Sequence, residues 1–117
     1  MSYEVIKKQN HTLVRILSEK LDANNAPDLK SEFIFIHNSG EKNIILDTEK
    51  CTYCDSTGLR AIIVANRLCE DAIGTFILTG LQPDVENLIR ISMLQTILLI
   101  TKTVTEAEAL LVRKESL

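Results

Sequence analysis

The sequence predicts an α/β fold with a mixed, mostly parallel sheet and helices packed against it. Three observations carry that reading. Short apolar runs recur along the chain, "NIILDT", "IGTFILTG" and "TILLIT" among them, each bounded by turn-forming residues as buried strands are. Segments with helical spacing of apolar residues stand between those runs, and such alternation implies parallel strands joined by right-handed crossovers. The first seventeen residues read instead as two short strands about a polar turn. The predicted order is β-β-α-β-α-β-α-β-α, in one domain over residues 1–117.

Each element has its own signal. In "YEVIKKQNHTLVRIL", Tyr3 and Val5 alternate with charged neighbours, Gln9-Asn10 supplies the turn, and Leu13 to Leu17 make the second strand. Asp22, Asn24 and Asn25 are candidate caps for a first helix, and Pro27 suits its first turn. Ala26, Leu29, Phe33 and Ile36 fall at helical spacing, and Asn38-Ser39-Gly40 ends the helix. "NIILDT" follows as a buried strand. Leu59, Ile62, Ile63, Leu68 and Cys69 then form an apolar stripe, placing a helix over about residues 57 to 70. After the strand in "IGTFILTG", Pro83 opens a helix that turns Val85, Leu88 and Ile89 inward. "TILLIT" is apolar throughout, as a central strand would be. Thr103 with Glu106, or Thr105 with Glu108, has capping-box spacing at the start of a last helix. Arg113 and Lys114 near its end suit the helix dipole.

Composition excludes several functions. Hydrophobic residues make up 45% and charged residues 25%, an ordinary globular balance, and the net charge is −3. A negative chain lacks the basic field that nucleic acid or an anionic membrane surface needs. No apolar stretch is long enough to insert in a membrane, and "MSYEVIKKQNH" has no signal-peptide core, so a cytoplasmic location is expected. The four glycines form neither a P-loop nor a dinucleotide fingerprint, and no cofactor is expected.

"CTYCDSTGLRAI", residues 51–62, concentrates the candidate chemistry. Cys51 and Cys54 form a CxxC pair, which a thiol oxidoreductase would place at a helix N-terminus to stabilise a thiolate. Here the helix starts after both cysteines, and buried structural thiols are the simpler reading. Cys51, Cys54, Cys69 and one of His11 or His37 could number four zinc ligands, but no metal-site spacing supports them and no metal is expected. Ser56 is not in a G-x-S-x-G elbow, and neither histidine is placed near it, so no catalytic residue is assigned. Taken alone, Asp55-Ser56-Thr57-Gly58-Leu59 is a capped helix start: Asp55 or Ser56 caps, Gly58 permits close approach, and Leu59 begins the buried stripe.

The stretch does not stand alone. "ILSEKLDANNAPDLKSEF" has a strand closing on Leu-Asp before a helix. "NIILDTEKCTYCDSTGLRAI" has an apolar strand closing on Asp47, a short loop and D-S-[ST]-G-L. "TGLQPDVENLIRISMLQTILLITKTVTEAEALL" has a glycine turn, a proline-started helix, Ser-x-Leu, a strand and an Ala/Leu-rich helix. In these features the chain resembles the stand-alone STAS domains, the anti-sigma factor antagonists of bacterial regulatory systems. The resemblance implies a STAS-like fold and a binding module without catalysis of its own. Such a module binds an anti-sigma factor that is also a serine kinase, and thereby frees a sigma factor. The kinase phosphorylates the antagonist, which then lets go, and a serine phosphatase restores it. Carried onto this chain, the acceptor is Ser56, with Thr57 second. The partner-binding set is Asp22, Asp55, Ser56, Thr57, Gly58, Leu59 and Arg60. Three positions depart from the family pattern: Glu19 and Met93 stand where glycine is common, and Arg60 where a small or apolar residue is usual. At i,i+4 from Ser56, Arg60 could reach a phosphate. Family relatives outside sigma pathways serve as signalling scaffolds or as subunits of transport systems, and these remain alternatives.

Overall fold

The computed structural model describes residues 2–116. Its main sheet has five strands in the spatial order β1 (Tyr3–Lys7), β2 (Thr12–Ile16), β4 (Ile44–Asp47), β6 (Phe76–Thr79) and β7 (Leu99–Thr101). Only β1 runs antiparallel, paired with β2 through the hairpin; the other neighbours are parallel. Four helices cover the sheet: α1 (Ala26–Asn38), α2 (Ser56–Asp71), α3 (Pro83–Ile91) and α4 (Val104–Glu115). The mixed, mostly parallel architecture is the one expected. Among the described residues, no helix is long and apolar enough to cross a membrane.

The strand alternation divides the core in two. Val14, Ile16, Ile44, Leu46, Phe76 and Leu78 face α1, α2 and α3. Leu13, Ile45 and Ile77 face α4, where they meet Ala107 and Leu111. Across the larger layer, Phe33 of α1 meets Phe76 of β6 edge to face, with ring centroids 6.5 Å apart. Burying each such side chain stabilises by about 1.5–3 kcal/mol. Burial of this extent on one face seats α2 firmly, and α2 is the element that begins at Ser56.

Three expectations change. The order β-β-α-β-α-β-α-β-α omitted two short strands, β3 (Lys20–Leu21) and β5 (Tyr53–Cys54), which pair in parallel as a separate small sheet. Two-residue strands carry no periodicity, so only their long-range pairing defines them. "TILLIT" is not a central strand: β7 is the edge of the main sheet, and Leu99 and Ile100 are exposed. Thr96 belongs to a short 3-10 turn before it. Asn25 holds the cap position of α1, but its side chain caps nothing in the helix. It accepts from the Asp22 amide and donates to the Lys20 carbonyl instead. At α4 the first of the two capping-box candidates is used, with Thr103 Oγ1 accepting from the Glu106 amide.

The end of α2 is a Schellman turn. The Gly74 amide donates to the Cys69 carbonyl, and the Ile73 amide to the Glu70 carbonyl. Its left-handed position, normally glycine's, is filled by Ile73 at φ 59°. A β-branched residue is strained there, and Ile73 recovers little by packing because it is 88% exposed. Ile73→Gly is therefore expected to stabilise the protein by about 0.5–1 kcal/mol, after allowing for glycine's entropy in the unfolded chain. An unchanged or lower urea midpoint would show that the conformation carries no strain.

Candidate functional site

The site begins with a backbone ladder. Lys20 pairs with Tyr53 and Leu21 with Cys54, in parallel. The Thr52 and Tyr53 amides donate to the Glu19 carbonyl, at 2.8 and 3.1 Å, and the Asp55 amide donates to the Leu21 carbonyl at 3.2 Å. Asp22 and Asp55 thus stand one register step beyond the last pair. Two aspartates far apart in sequence are brought to one place by this pairing.

Asp55 then starts α2. Its backbone is extended at φ −105° and ψ −173°, and its Oδ1 accepts from the Thr57 and Gly58 amides at 2.9 and 3.0 Å. A carboxylate there both satisfies orphan donors and complements the helix dipole. Because Asp55 performs the capping, the hydroxyl of Ser56 is not needed for it. Ser56 is the first helical residue and is exposed; Thr57 is half-buried. Gly58 is buried, and a Cβ on it would lie 2.6 Å from the Leu21 carbonyl oxygen and 2.7 Å from Cys54 Sγ. Only glycine lets this turn sit so close to β3 and β5. Leu59 is half-buried and packs against the main core, while Arg60 points into solvent one turn beyond Ser56.

Asp22 is held as firmly. Its Oδ1 accepts from the Asn24 amide at 2.9 Å, and its carbonyl accepts from the Ala26 amide at 2.8 Å. A shallow groove beside it is lined by Ser18, Glu19, Lys20, Asn24 and Asn25. The predicted set Asp22, Asp55, Ser56, Thr57, Gly58, Leu59 and Arg60 is therefore gathered at one end of the sheet, around the start of α2. Within it Gly58 is structural rather than available for contact.

Two residues outside the predicted set also bear on this end of the sheet. Tyr53, half exposed on β5, stands just before the capped turn, and the alternation with buried Cys54 is the signal that could have found it. Asp47, buried at the end of β4, anchors the loop leading to β5. Its Oδ2 accepts from Arg15 Nε at 2.9 Å and its Oδ1 from the Glu49 amide at 3.0 Å. Arg15 continues to Glu4 at 3.0 Å. Gln82 Nε2 holds the same loop through the Glu49 carbonyl, and Thr48 Oγ1 donates to the Thr79 carbonyl.

The cysteines sit in surroundings opposite to those a redox dithiol needs. All three are buried and free. Burial, then the neighbouring Cys51 and Asp55, push the Cys54 thiol up to about 12. Burial pushes Cys69 up to about 12 and raises Cys51, against partly offsetting backbone hydrogen bonds from Tyr53 and Leu21. Thiols raised in this way carry even less thiolate at neutral pH than a free cysteine, which argues against reading Cys51 and Cys54 as reactive. Among the described residues, no three His, Cys, Asp or Glu side chains are grouped to hold a metal ion.

The chain belongs to the STAS domain family, whose pattern matches residues 2–107. It is 28% identical over 80 residues to BtrV of Bordetella bronchiseptica, whose name assigns it as an anti-sigma factor antagonist; the match spans 68% of this chain and 69% of BtrV. Its fold is similar to that of a Thermotoga maritima protein assigned to the same class, with a TM-score of 0.83 at 23% identity over 93% of each chain. It is also similar to Bacillus SpoIIAA in its phosphorylated form, with a TM-score of 0.73 at 19% identity over 92% of this chain and 96% of that one.

Two outcomes test the site's construction. Gly58→Ala is expected to cost about 1–3 kcal/mol, because the methyl group meets a backbone oxygen that cannot move aside. A urea midpoint for Gly58→Ala equal to that of the wild type would refute the close approach. Stability should also fall as pH rises above about 9, since the unfolded chain then releases thiol protons that the native state retains. Replacing all three cysteines with alanine should flatten that slope in urea titrations, and an unaltered slope would assign it to other groups.

Proposed function

We propose that this protein is an anti-sigma factor antagonist that binds an anti-sigma factor serine kinase in the cytoplasm, frees a sigma factor, and is switched off by phosphorylation of Ser56. The observation that carries the reading is the exposed Ser56 at the first position of α2, relieved of capping by Asp55 and presented beside Asp22. The family and the likeness to BtrV and SpoIIAA support it.

The chemistry belongs to the kinase. Ser56 Oγ attacks the γ-phosphorus of ATP held by the partner, gives up its proton, and ADP leaves as the P–O bond breaks. The product carries about −1.5 to −2 charges and three acceptor oxygens on Ser56. At the N-terminus of α2 the dipole favours that charge by about 0.3–1 kcal/mol, while Asp55 opposes it. The domain therefore keeps its fold. A partner packed over Ser56 meets instead a desolvated anion beside two aspartates, and each 1.4 kcal/mol of that penalty lowers affinity about tenfold. Arg60, exposed at i,i+4, is in position to pair with the phosphate and moderate the change. A serine phosphatase hydrolyses the ester and resets the switch.

Incubation with the cognate kinase and ATP should add one phosphate to the wild type and none to Ser56→Ala. Undiminished incorporation into Ser56→Ala, together with its loss in Thr57→Ala, would move the acceptor to Thr57. Ser56→Asp should unfold within about 0.5 kcal/mol of wild type, as an exposed substitution does.

A further inference from the structure

His11 closes the β1–β2 hairpin and is buried, with 5% of its surface exposed. Its carbonyl accepts from the Lys8 amide at 2.8 Å, across the Gln9-Asn10 turn. The ring stands between two oxygen atoms. Nδ1 lies 2.8 Å from Asn10 Oδ1, and Nε2 lies 3.3 Å from Glu108 Oε2 of α4. Both oxygens accept hydrogen bonds, and a neutral imidazole has only one N–H to give. The shorter contact places that proton on Nδ1, which donates to Asn10. Nε2 is left with its lone pair toward a carboxylate, and among the described residues it has no hydrogen-bond partner. A second link runs beside it. Buried Asn43 donates through Nδ2 to the Asn10 carbonyl at 2.9 Å and to Glu115 Oε1 at 2.8 Å. Glu108 and Glu115 share one face of α4, two turns apart. The hairpin tip and the second half of α4 therefore meet over His11.

The surroundings of the ring set its response to acid. The charged groups around it are Glu108 and Glu115 of α4 and Lys8 at the end of β1; Asn10 and Asn43 carry no charge. Burial disfavours an imidazolium here, Glu108 and Glu115 favour it, and Lys8 disfavours it. Glu108 is itself 37% exposed, so water screens much of its pull. Burial wins, and the His11 pKa is lowered from its ordinary value. We propose that His11 makes the contact between the hairpin and α4 acid-labile: a proton taken from water by Nε2 favours a locally open state, in which residues 108–115 leave the hairpin and the ring is hydrated. A hydrated ring regains its ordinary pKa of about 6.5. The closed state is thus fully favoured above about pH 6.5 and loses stability as pH falls toward the lowered native value. Glu108 is the brake on this release, because its carboxylate holds the charged ring in place. The contact lies at the end of the sheet where β2 and β4 begin, whereas the loop toward Ser56 leaves the other end of β4 at Asp47. The release therefore acts away from Ser56 and does not depend on the kinase reading.

Nitrogen-15 titration of the His11 ring, with amide exchange of the full chain at about pH 7 and about pH 5, tests it. Exchange is compared after correction for its intrinsic pH dependence. The wild-type ring should titrate below about 6.5. Protection of the Leu110, Leu111 and Val112 amides should fall about threefold or more on acidification, and that of β4 by less. His11→Asn, which keeps a donor for Asn10, should abolish this fall, and His11→Gln is the second variant in case the first unfolds. Glu108→Gln should move the ring's titration lower still and deepen the fall. A ring that titrates at or above its ordinary value overturns the proposal, as does α4 protection that acid leaves unchanged. A fall that persists in both His11 variants, that β4 shares equally, or that Glu108→Gln abolishes overturns it too.

Discussion

The approach of Gly58 to the Leu21 carbonyl is the contact on which the rest of the site depends. It brings the first turn of α2 against the small β3–β5 sheet, at a distance that no side chain on residue 58 could share. Once the turn is there, Asp55 is held extended by the hydrogen bond its amide donates to the Leu21 carbonyl and can direct Oδ1 at the Thr57 and Gly58 amides. Ser56 is left as the first residue outside this set of bonds. The constraint thus separates two jobs that a single serine could otherwise have combined: a carboxylate stabilises the helix start, and a hydroxyl is offered to solvent.

The scaffold beneath keeps a charge change local. The loop that delivers β5 is fastened by Asp47, Thr48 and Gln82 to strand ends and to the start of α3. Asp22 is fastened by its own turn. The face of α2 opposite the solvent is buried through Ala61, Ile62, Ala65 and Cys69. With the Thr57, Gly58 and Leu59 amides already bonded to Asp55, a phosphate on Ser56 would break none of those bonds. What it changes is the field at the surface, which acts on whatever docks there.

The sequence was informative where periodicity or local chemistry writes the structure. The apolar stripe of α2, the Pro83 start of α3 and a cap at Asp55 or Ser56 were all legible, because each depends on residues within a few positions of one another. The β3–β5 ladder was not, since it joins two-residue strands 33 positions apart that have no pattern of their own. Asn25 was misleading for a similar reason: an asparagine at a helix start usually caps, but here the Asp22 amide and Lys20 carbonyl lie closer to hand. For "TILLIT", an apolar run reports affinity for burial and not position in the sheet, so an exposed edge and a central strand read alike. The resemblance already grouped Asp22 with the D-S-T-G-L core, while the β3–β5 pairing that brings the two together is visible only in the fold.

The central claim is that charge on Ser56 alters partner affinity without refolding the domain. The direct measurement is calorimetric titration of the kinase partner with two forms of this protein, unmodified and carrying phosphoserine at position 56, alongside amide spectra of both. Phosphoserine at position 56 should lower affinity about 100-fold or more, two steps of 1.4 kcal/mol, with spectral changes confined to the start of α2 and its β3–β5 neighbours. Equal affinity for the two forms would contradict the switch, and changes spread through the α4 face of the sheet would contradict its local, electrostatic origin.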